Sequence, residues 1–238
     1  MIELTRQDEI FVLTMNAGEN RWNTTFVRAF GAALDEVEAS AGAAALLTVS
    51  ADSKFFSNGL DLDWLNAEGE HPGGDRSVFG DEFMKLMGRL ITLPVPSVAA
   101  INGHAFGAGL MLALCHDVRL MREDRGFACA NEMQIGFRIP TPELALFRHK
   151  LSAGAFFETV QLARRWTGPD ALAAGIVQAV AGPDTLEDAA RARAEALAPL
   201  GANRALYGEQ KERLFGENAV LDGPHGAAHM LRHSADFA

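Results

Sequence analysis

Apolar residues change their spacing several times along the first 140 residues of the chain. Residues 1–16 alternate apolar and polar positions, which predicts that this segment is a strand, and residues 10–15 are rich in large and β-branched side chains. After the polar cluster at 23–25, which can cap a helix, apolar residues recur at helical spacing until about residue 42. Apolar runs predict three further strands, at 43–49, 97–101 and 118–121. The first is apolar throughout most of its length and is expected to be covered on both faces.

Helical patterns at 83–91 and 107–114 separate these strands, so strand and helix alternate along the chain. Alternation of this kind predicts crossover connections and a largely parallel sheet. From about residue 142 helical spacing dominates, with one short strand at 176–180. We therefore expect an α/β core at 1–180, with a helical C-terminal region at 181–238 that covers the core and mediates assembly.

Length and composition exclude several classes of protein. The 238 residues, 48% of them hydrophobic, suffice to bury a core without disulfide or metal support. The two cysteines, Cys115 and Cys129, lie in apolar runs and predict buried thiols in a reducing compartment. No apolar run reaches the ~18 residues of a membrane span, and neither terminus has a signal-peptide or peroxisomal pattern. We expect a cytoplasmic protein without a membrane partner.

The charge of the chain argues against a nucleic-acid partner. A formal net charge of −10 repels phosphate backbones, but it leaves room for an anionic substrate held by a few local cations. Arg21 and Lys54 precede candidate pocket segments and are the candidate contacts for such an anion.

Two glycine-containing turns follow predicted buried strands. The first, SNGLD at 57–61, contains Gly59, which suits an unusual backbone conformation or a close approach, although a simple strand-to-helix turn has the same pattern. The second, GAG at 107–109, opens an apolar helix whose free backbone N–H groups and dipole favour an anion or oxyanion. Neither turn matches a P-loop or a dinucleotide-binding motif.

A third segment, NEMQIG at 131–136, carries Glu132 among the apolar residues Phe127, Cys129, Met133 and Ile135. Partial burial raises the pKa of a carboxyl group and suits a general base, whereas an exposed glutamate at a strand edge is the structural alternative.

In this order and spacing, the three segments resemble the crotonase superfamily of enoyl-CoA hydratases and isomerases, from about residue 8 to 180. The resemblance implies a crotonase-like (ClpP/crotonase) α/β spiral of stacked β-sheets and helices with a helical C-terminal region. It implies an acyl-CoA thioester substrate whose carbonyl oxygen is held by the backbone N–H groups of Leu60 and Ala108. It further implies a homotrimer or dimer of trimers, with no metal and no cofactor beyond the CoA of the substrate.

The carboxylates of the family separate its reactions. Hydratases resemble one another in a glutamate two residues past the second turn, where this chain has Met111, and in a second glutamate that corresponds to Glu132. The segment around Glu132 is similar to monofunctional Δ3,Δ2-enoyl-CoA isomerases, and 57–59 with 109–114 are similar to isomerases of plant peroxisomal type. The resemblance thus implies isomerisation of 3-enoyl-CoA to 2-trans-enoyl-CoA, with Glu132 moving the proton from C2 to C4.

Two alternatives remain. The first is an enoyl-CoA hydratase, or another acyl-CoA lyase or hydrolase. It requires either Glu143, if its side chain turns inward, or a water held by polar backbone groups to replace the missing glutamate. The place of Glu143 in the first turn of a predicted helix favours a structural role, because the helix dipole stabilises an acid there. The alternative from another class is a non-catalytic acyl-CoA-binding homologue.

The predicted site comprises the catalytic Glu132, with Arg21 and Lys54 at the CoA phosphates. The predicted substrate-binding residues are Ser57, Asn58, Gly59, Leu60, Asp61, Gly107, Ala108, Gly109 and Met111.

Three groups outside this site are given structural interpretations. His225, His229 and His233 recur every four residues without a Glu-x-x-His motif or a cysteine, so we interpret them as a solvated helix face and not as a metal site. Asp117 and Glu123 flank a predicted strand and are interpreted as surface or capping acids. The apolar faces of the helices at 155–165 and 186–197 are expected to cover a neighbouring subunit.

Overall fold

The computed structural model describes residues 1–69, 71–217 and 225–237. In these ranges the chain forms nine strands: β1 (Ile2–Gln7), β2 (Ile10–Met15), β3 (Ala45–Ser50), β4 (Phe55–Ser57), β5 (Ser97–Ile101), β6 (His104–Phe106), β7 (Val118–Arg122), β8 (Ala128–Cys129) and β9 (Ala179–Ala181).

Helices connect and cover these strands. They are α1 (Thr24–Ala39), α2 (Leu62–Asn66), α3 (Phe79–Ile91), α4 (Ala108–Cys115), α5 (Glu132–Ile135), α6 (Thr141–Lys150), α7 (Ala153–Val160), α8 (Gly168–Ala173), α9 (Leu186–Leu197), α10 (Arg204–Phe215) and α11 (Ala227–Arg232), with 3-10 turns at Ala198–Ala202 and Ser234–Phe237. None of the described helices is both long enough and apolar enough to cross a membrane.

A six-stranded sheet forms the centre of the molecule, in the order β1-β2-β3-β5-β7-β9. All neighbouring strands run parallel except β1 and β2, which form an antiparallel hairpin. The alternating N-terminal segment was predicted as a single strand, and this is wrong because the chain reverses at Asp8, whose φ is +54°. The strands predicted from continuous apolar runs form the buried middle of the sheet.

A second sheet contains three short parallel strands in the order β4-β6-β8. Each follows a strand of the large sheet, since β4 comes after β3, β6 after β5 and β8 after β7. The chain therefore passes three times from the large sheet to the small one, which is the spiral of stacked sheets that the sequence predicts. The small sheet was not predicted as strands, because segments of two or three residues are too short for a periodic signal.

The large sheet is covered on both faces. On one face α1, α3 and α4 enclose the main core, and on the other α9 packs Leu186, Ala190 and Ala194 against β2, β3, β5 and β7. The expectation that the apolar face of α9 covers a neighbouring subunit is therefore wrong, because this face covers the protein's own sheet. The terminal helix α11 packs on α3 and α6.

A buried ion pair joins the C-terminal region to the sheet. Lys211 of α10 is 4% exposed, and its Nζ lies 2.8 Å from Asp117 Oδ2, at the start of β7. The same oxygen accepts hydrogen bonds from the backbone N–H of Ser97 at 2.9 Å and from the hydroxyl of Tyr207 at 3.1 Å. The interpretation of Asp117 as a surface acid is wrong, because α10 covers it, whereas Glu123 is exposed as predicted.

We expect Lys211→Met to lower the free energy of unfolding by about 3 kcal/mol, because it leaves the Asp117 carboxylate buried without its cation. Lys85→Met is the matched control, since Lys85 pairs with Asp81 at an exposed position on α3, and it should cost less than about 0.5 kcal/mol. Chemical denaturation of both variants measures the difference. Equal losses would show that the buried pair contributes no more than a surface pair.

Candidate active site

The two glycine turns lie against each other because the strands that precede them, β4 and β6, are neighbours in the small sheet. Gly59 has φ +79°, and a Cβ atom added to it would lie 2.8 Å from the carbonyl oxygen of Phe106 and 3.6 Å from the nitrogen of Ala108. Only glycine permits both this backbone conformation and this approach. The first turn thus reaches the N-terminus of α4.

The contact brings two free backbone donors to the same place. The N–H of Trp22 donates to the Gly59 carbonyl at 2.9 Å, and the N–H of Asp61 donates to the Trp22 carbonyl at 3.0 Å, so the chain is held on both sides of Leu60. Among the described residues, no hydrogen-bond acceptor pairs with the N–H of Leu60 or Ala108. Two fixed N–H groups without protein acceptors are the elements of an oxyanion hole.

A pocket with a volume of about 70 Å³ opens in front of these turns. Both turns, the residues after β8 and a few apolar side chains line it: Asn58, Gly59, Leu60, Leu62, Phe106, Gly107, Ala108, Asn131, Glu132, Ile135 and Phe137.

Glu132 is the one carboxylate that lines this pocket. It begins α5, directly after β8, and pairing of β8 with β6 places it beside the second turn. Gly107 has φ +49°, and a Cβ atom added to it would lie 2.9 Å from Glu132 Oε1. The other oxygen, Oε2, is buried without a hydrogen-bond partner, and burial raises the pKa of the carboxyl group above its ordinary value of 4.5.

The burial of Glu132 has a different origin from the one expected. Met133 and Ile135 were expected to enclose it, but these side chains are 52% and 48% exposed. The carboxyl group is instead covered by the second turn, because α5 turns its first residue toward Gly107. The result is a desolvated carboxylate that can accept a proton inside the pocket.

Glu143 lies behind the pocket as a second buried carboxyl group. Its side chain turns inward from the first turn of α6 and is 6% exposed, and its Oε1 has no hydrogen-bond partner. Burial, with a further contribution from the charge of Glu132, raises the pKa of Glu143 to about 8. Because α6 packs on α4, the preferred interpretation of Glu143 as an acid that only stabilises a helix terminus does not describe its position.

The chain is similar in sequence to a known protein family and to individual proteins. Residues 5–211 match the family described as enoyl-CoA hydratase/isomerase. The chain is 34% identical to the peroxisomal enoyl-CoA delta isomerase 2 of Arabidopsis thaliana, over 76% of this chain and 77% of that protein. It is also 34% identical to a carnitinyl-CoA dehydratase of Salmonella arizonae, over 82% of this chain and 74% of that protein.

Solved structures of other proteins have a similar fold over nearly the whole chain. The apo structure of a Mycobacterium tuberculosis enoyl-CoA isomerase is 26% identical and has a TM-score of 0.81, covering 99% of this chain and 96% of that one. The chain belongs to the enoyl-CoA hydratase/isomerase family. The predicted crotonase-like fold and the resemblance to the enoyl-CoA isomerases of that family are confirmed.

Four of the predicted substrate-binding residues do not line the pocket, and their contacts stabilise the structure around it. The hydroxyl of Ser57 donates to the Asn20 carbonyl at 2.7 Å, and Asp61 caps α2 by accepting from the N–H of Trp64 at 3.2 Å. A Cβ atom added to Gly109 would meet the Ser57 carbonyl oxygen at 2.3 Å, so Gly109 allows α4 to approach β4. Met111 is fully buried in the core.

The two candidate phosphate contacts lie at the surface. Arg21 Nε is 2.7 Å from Glu19 Oε2, and Nη1 is 3.4 Å from Asp63 Oδ2, in a shallow pocket beside the first turn. Lys54 is exposed, with its Nζ 4.9 Å from the centre of the Phe55 ring. Their role toward CoA stays a prediction.

The predicted site lacks five residues that line the pocket: Leu62, Phe106, Asn131, Ile135 and Phe137. Of these, Ile135 was named only as an apolar neighbour of Glu132. Phe106 and Asn131 stand next to recognised motif residues, so proximity to the motifs was the available signal. Leu62 and Phe137 lack such a signal, because the direction of each side chain depends on the short helices α2 and α5.

The protonation of Glu143 makes stability depend on pH. The unfolded chain ionises this group near its ordinary pKa of 4.5, whereas the folded protein keeps it protonated to about pH 8. Its contribution to stability is therefore complete below about pH 4.5 and is lost as pH rises through 8, by about 1.4 kcal/mol for each pH unit between the two values. We expect the unfolding free energy to fall by a few kcal/mol from pH 5 to pH 8.

In Glu143→Gln, most of this fall should disappear, because glutamine does not ionise. Glu195→Gln, on the exposed face of α9, serves as the control and should follow the wild type. Denaturation curves at pH 5, 6, 7 and 8 compare the three proteins. A Glu143→Gln variant that parallels the wild type at all four pH values would contradict a buried, protonated Glu143.

Proposed function

We propose that this protein isomerises 3-enoyl-CoA to 2-trans-enoyl-CoA, with Glu132 as both base and acid. The observation that carries the proposal is the combination in one pocket of a desolvated carboxylate and two free backbone N–H groups. The resemblance of the chain to an enoyl-CoA delta isomerase supports the same reaction.

The proposed reaction is a proton transfer along the acyl chain. The Glu132 carboxylate removes a proton from C2, and the electron pair delocalises over the thioester carbonyl and the double bond to form a dienolate. The negatively charged oxygen accepts hydrogen bonds from the N–H groups of Leu60 and Ala108, each worth about 2.7–4 kcal/mol in comparable sites. Glu132 then returns the proton to C4, which leaves the double bond between C2 and C3.

The raised pKa of Glu132 suits this role, because a stronger base removes a weakly acidic C2 proton more readily. The proposed reaction balances in protons and electrons, so it requires no redox cofactor, and we propose that the backbone N–H groups stabilise the dienolate without a metal or a cofactor beyond the CoA of the substrate. We expect the predicted residues that line the pocket to contact the thioester: Asn58, Gly59, Leu60, Gly107 and Ala108. We expect Arg21 and Lys54 to contact the CoA phosphates.

A second candidate function is the hydration of enoyl-CoA or the reverse dehydration, which requires a second acid or base. The observation in its favour is Glu143, whose buried carboxyl group lies behind Glu132 and interacts with its charge. The similarity to a carnitinyl-CoA dehydratase supports it as well. A non-catalytic acyl-CoA-binding protein is the remaining alternative.

We further propose that the protein works in the cytoplasm as a homotrimer or a dimer of trimers. The two buried free thiols fit a reducing compartment. Exposed apolar side chains on adjacent segments support assembly: Met133, Ile135 and Phe137 after β8, with Phe157 and Leu162 at α7. A hydrogen bond from the Gln134 side chain to the Ala163 carbonyl at 3.2 Å joins the two segments. An apolar patch of this kind is typical of an interface.

Glu132→Gln should lower isomerase turnover by about 10²–10⁴-fold or more, because it removes the base and keeps the shape of the side chain. Affinity for a saturated acyl-CoA should change only a few fold, since most contacts to the CoA moiety remain. Steady-state kinetics with 3-enoyl-CoA and calorimetric binding measure the two quantities, with Glu195→Gln as the control on the exposed face of α9.

Offering 2-enoyl-CoA and 3-enoyl-CoA separately decides between the candidates. An isomerase consumes the 3-enoyl substrate much faster than it hydrates the 2-enoyl substrate. Equal rates, with hydration lost in Glu143→Gln, would favour the hydratase. If both thioesters bound without turnover, and bound equally well to Glu132→Gln, the result would favour the non-catalytic alternative.

Light scattering at micromolar concentration should give the mass of a trimer or hexamer. The double variant Phe157→Glu, Leu162→Glu should shift the protein to smaller species, because it places charges in the exposed patch. Leu206→Glu is the control, since Leu206 is 60% exposed on α10, outside that patch. A monomeric wild-type protein would refute the assembly.

A further inference from the structure

Three potential metal ligands meet near the C-terminus, away from the catalytic pocket. The first is Glu217, which lies just after α10. The others are His229, within α11, and His233, directly after it. Each side chain offers one ligand atom, and these three atoms all lie within 4.8 Å of one another. The sequence interpretation rejected a metal site because neither a Glu-x-x-His motif nor a cysteine accompanies the periodic histidines. The fold brings an acid, Glu217, to these histidines from the residues just after α10.

The two histidines are available as ligands. His229 Nδ1 is buried and has no hydrogen-bond partner, which is costly for a polar atom unless something else satisfies it. Imidazole nitrogens are common ligands of zinc. His233 Nε2 lies 3.4 Å from Glu217 Oε1, a long contact that a shared cation would replace.

Neighbouring groups hold the rings in place. The ring of His225 stacks on that of His229 with the ring centres 4.8 Å apart, and His229 lies 4.6 Å from His233. The ring of Phe237 meets His229 edge-on with the centres 6.0 Å apart. Ring packing of this kind restricts the His229 side chain before any ligand binds.

The geometry points to a binding site for a divalent transition metal ion, with Zn²⁺ as its representative, formed by Glu217, His229 and His233. Two imidazole nitrogens and one carboxylate oxygen are a donor set that zinc accepts, whereas magnesium and calcium prefer oxygen ligands alone. Zinc bonds of about 2.0–2.2 Å place neighbouring ligand atoms about 3.3 Å apart. Glu217 and His233 already have almost this spacing, at 3.4 Å, so only the more distant pairs must close, by up to about 1.5 Å. Glu217 and His233 have this freedom, with side chains 57% and 45% exposed.

Such an ion would fasten the end of α10 to α11. Because α11 packs on α3 and α6, and α6 carries Glu143, the ion would fix the C-terminal helices over the core. The role is structural and takes no part in the proposed isomerisation. Its test is therefore independent of whether the protein is an isomerase.

The experiment uses full-length protein without an affinity tag, treated with EDTA and dialysed, and titrated with ZnCl₂ in a calorimeter. We expect one ion per chain at micromolar affinity or tighter, and a higher melting temperature with zinc than without. Glu217→Gln, His229→Asn and His233→Asn should each weaken binding by about 10-fold or more and remove the zinc-dependent rise in melting temperature. His71→Asn, at an exposed histidine in the loop before α3, should bind like the wild type.

Melting curves without zinc confirm that each variant is folded, so that a loss of binding reports on the ligands alone. Zinc that binds equally well to Glu217→Gln and His229→Asn would overturn the proposal, as would the absence of 1:1 binding by the wild type. Weakening in the histidine variants with none in Glu217→Gln would refute the three-ligand site.

Discussion

Pairing between the three short strands of the small sheet determines where every element of the candidate site lies. Between them, β4, β6 and β8 contain only eight residues, yet their hydrogen bonds bring together the two glycine turns and Glu132. The turns then have no room for side chains, because Gly59 approaches the Phe106 carbonyl and Gly107 approaches Glu132. The oxyanion hole and the base are thus positioned by backbone pairing, which varies less than the conformation of exposed side chains.

The shortness of β4, β6 and β8 also explains why the fold was easier to predict than the site. Runs such as 97–101 are apolar over most of the length of a strand, so local hydrophobicity identifies them. The motif residues Gly59, Gly107 and Glu132 were recognised by their order along the chain, but their contacts depend on strands too short to show periodicity. The inward direction of Glu143 depends on the packing of α6 against α4, and a helix N-terminus in sequence carries no information about that packing.

Two carboxyl groups of the same type behave differently here because their surroundings differ. Glu132 is half-buried and lines an open pocket, whereas Glu143 does not line it and is 6% exposed. Ionising both would place two negative charges in a region of low polarity, so the more deeply buried group retains its proton. Glu143 therefore permits Glu132 to carry the negative charge that the proposed reaction needs.

The hydrogen bond from Tyr207 to Asp117 has a practical consequence, because Tyr207 is the only tyrosine in the chain. Burial and the neighbouring carboxylate raise the pKa of its phenol, so the folded protein resists forming phenolate in alkaline solution. Phenolate absorbs ultraviolet light at longer wavelengths than phenol. A jump to alkaline pH followed by absorbance therefore times the release of α10 from the sheet, with an optical label that the chain already contains.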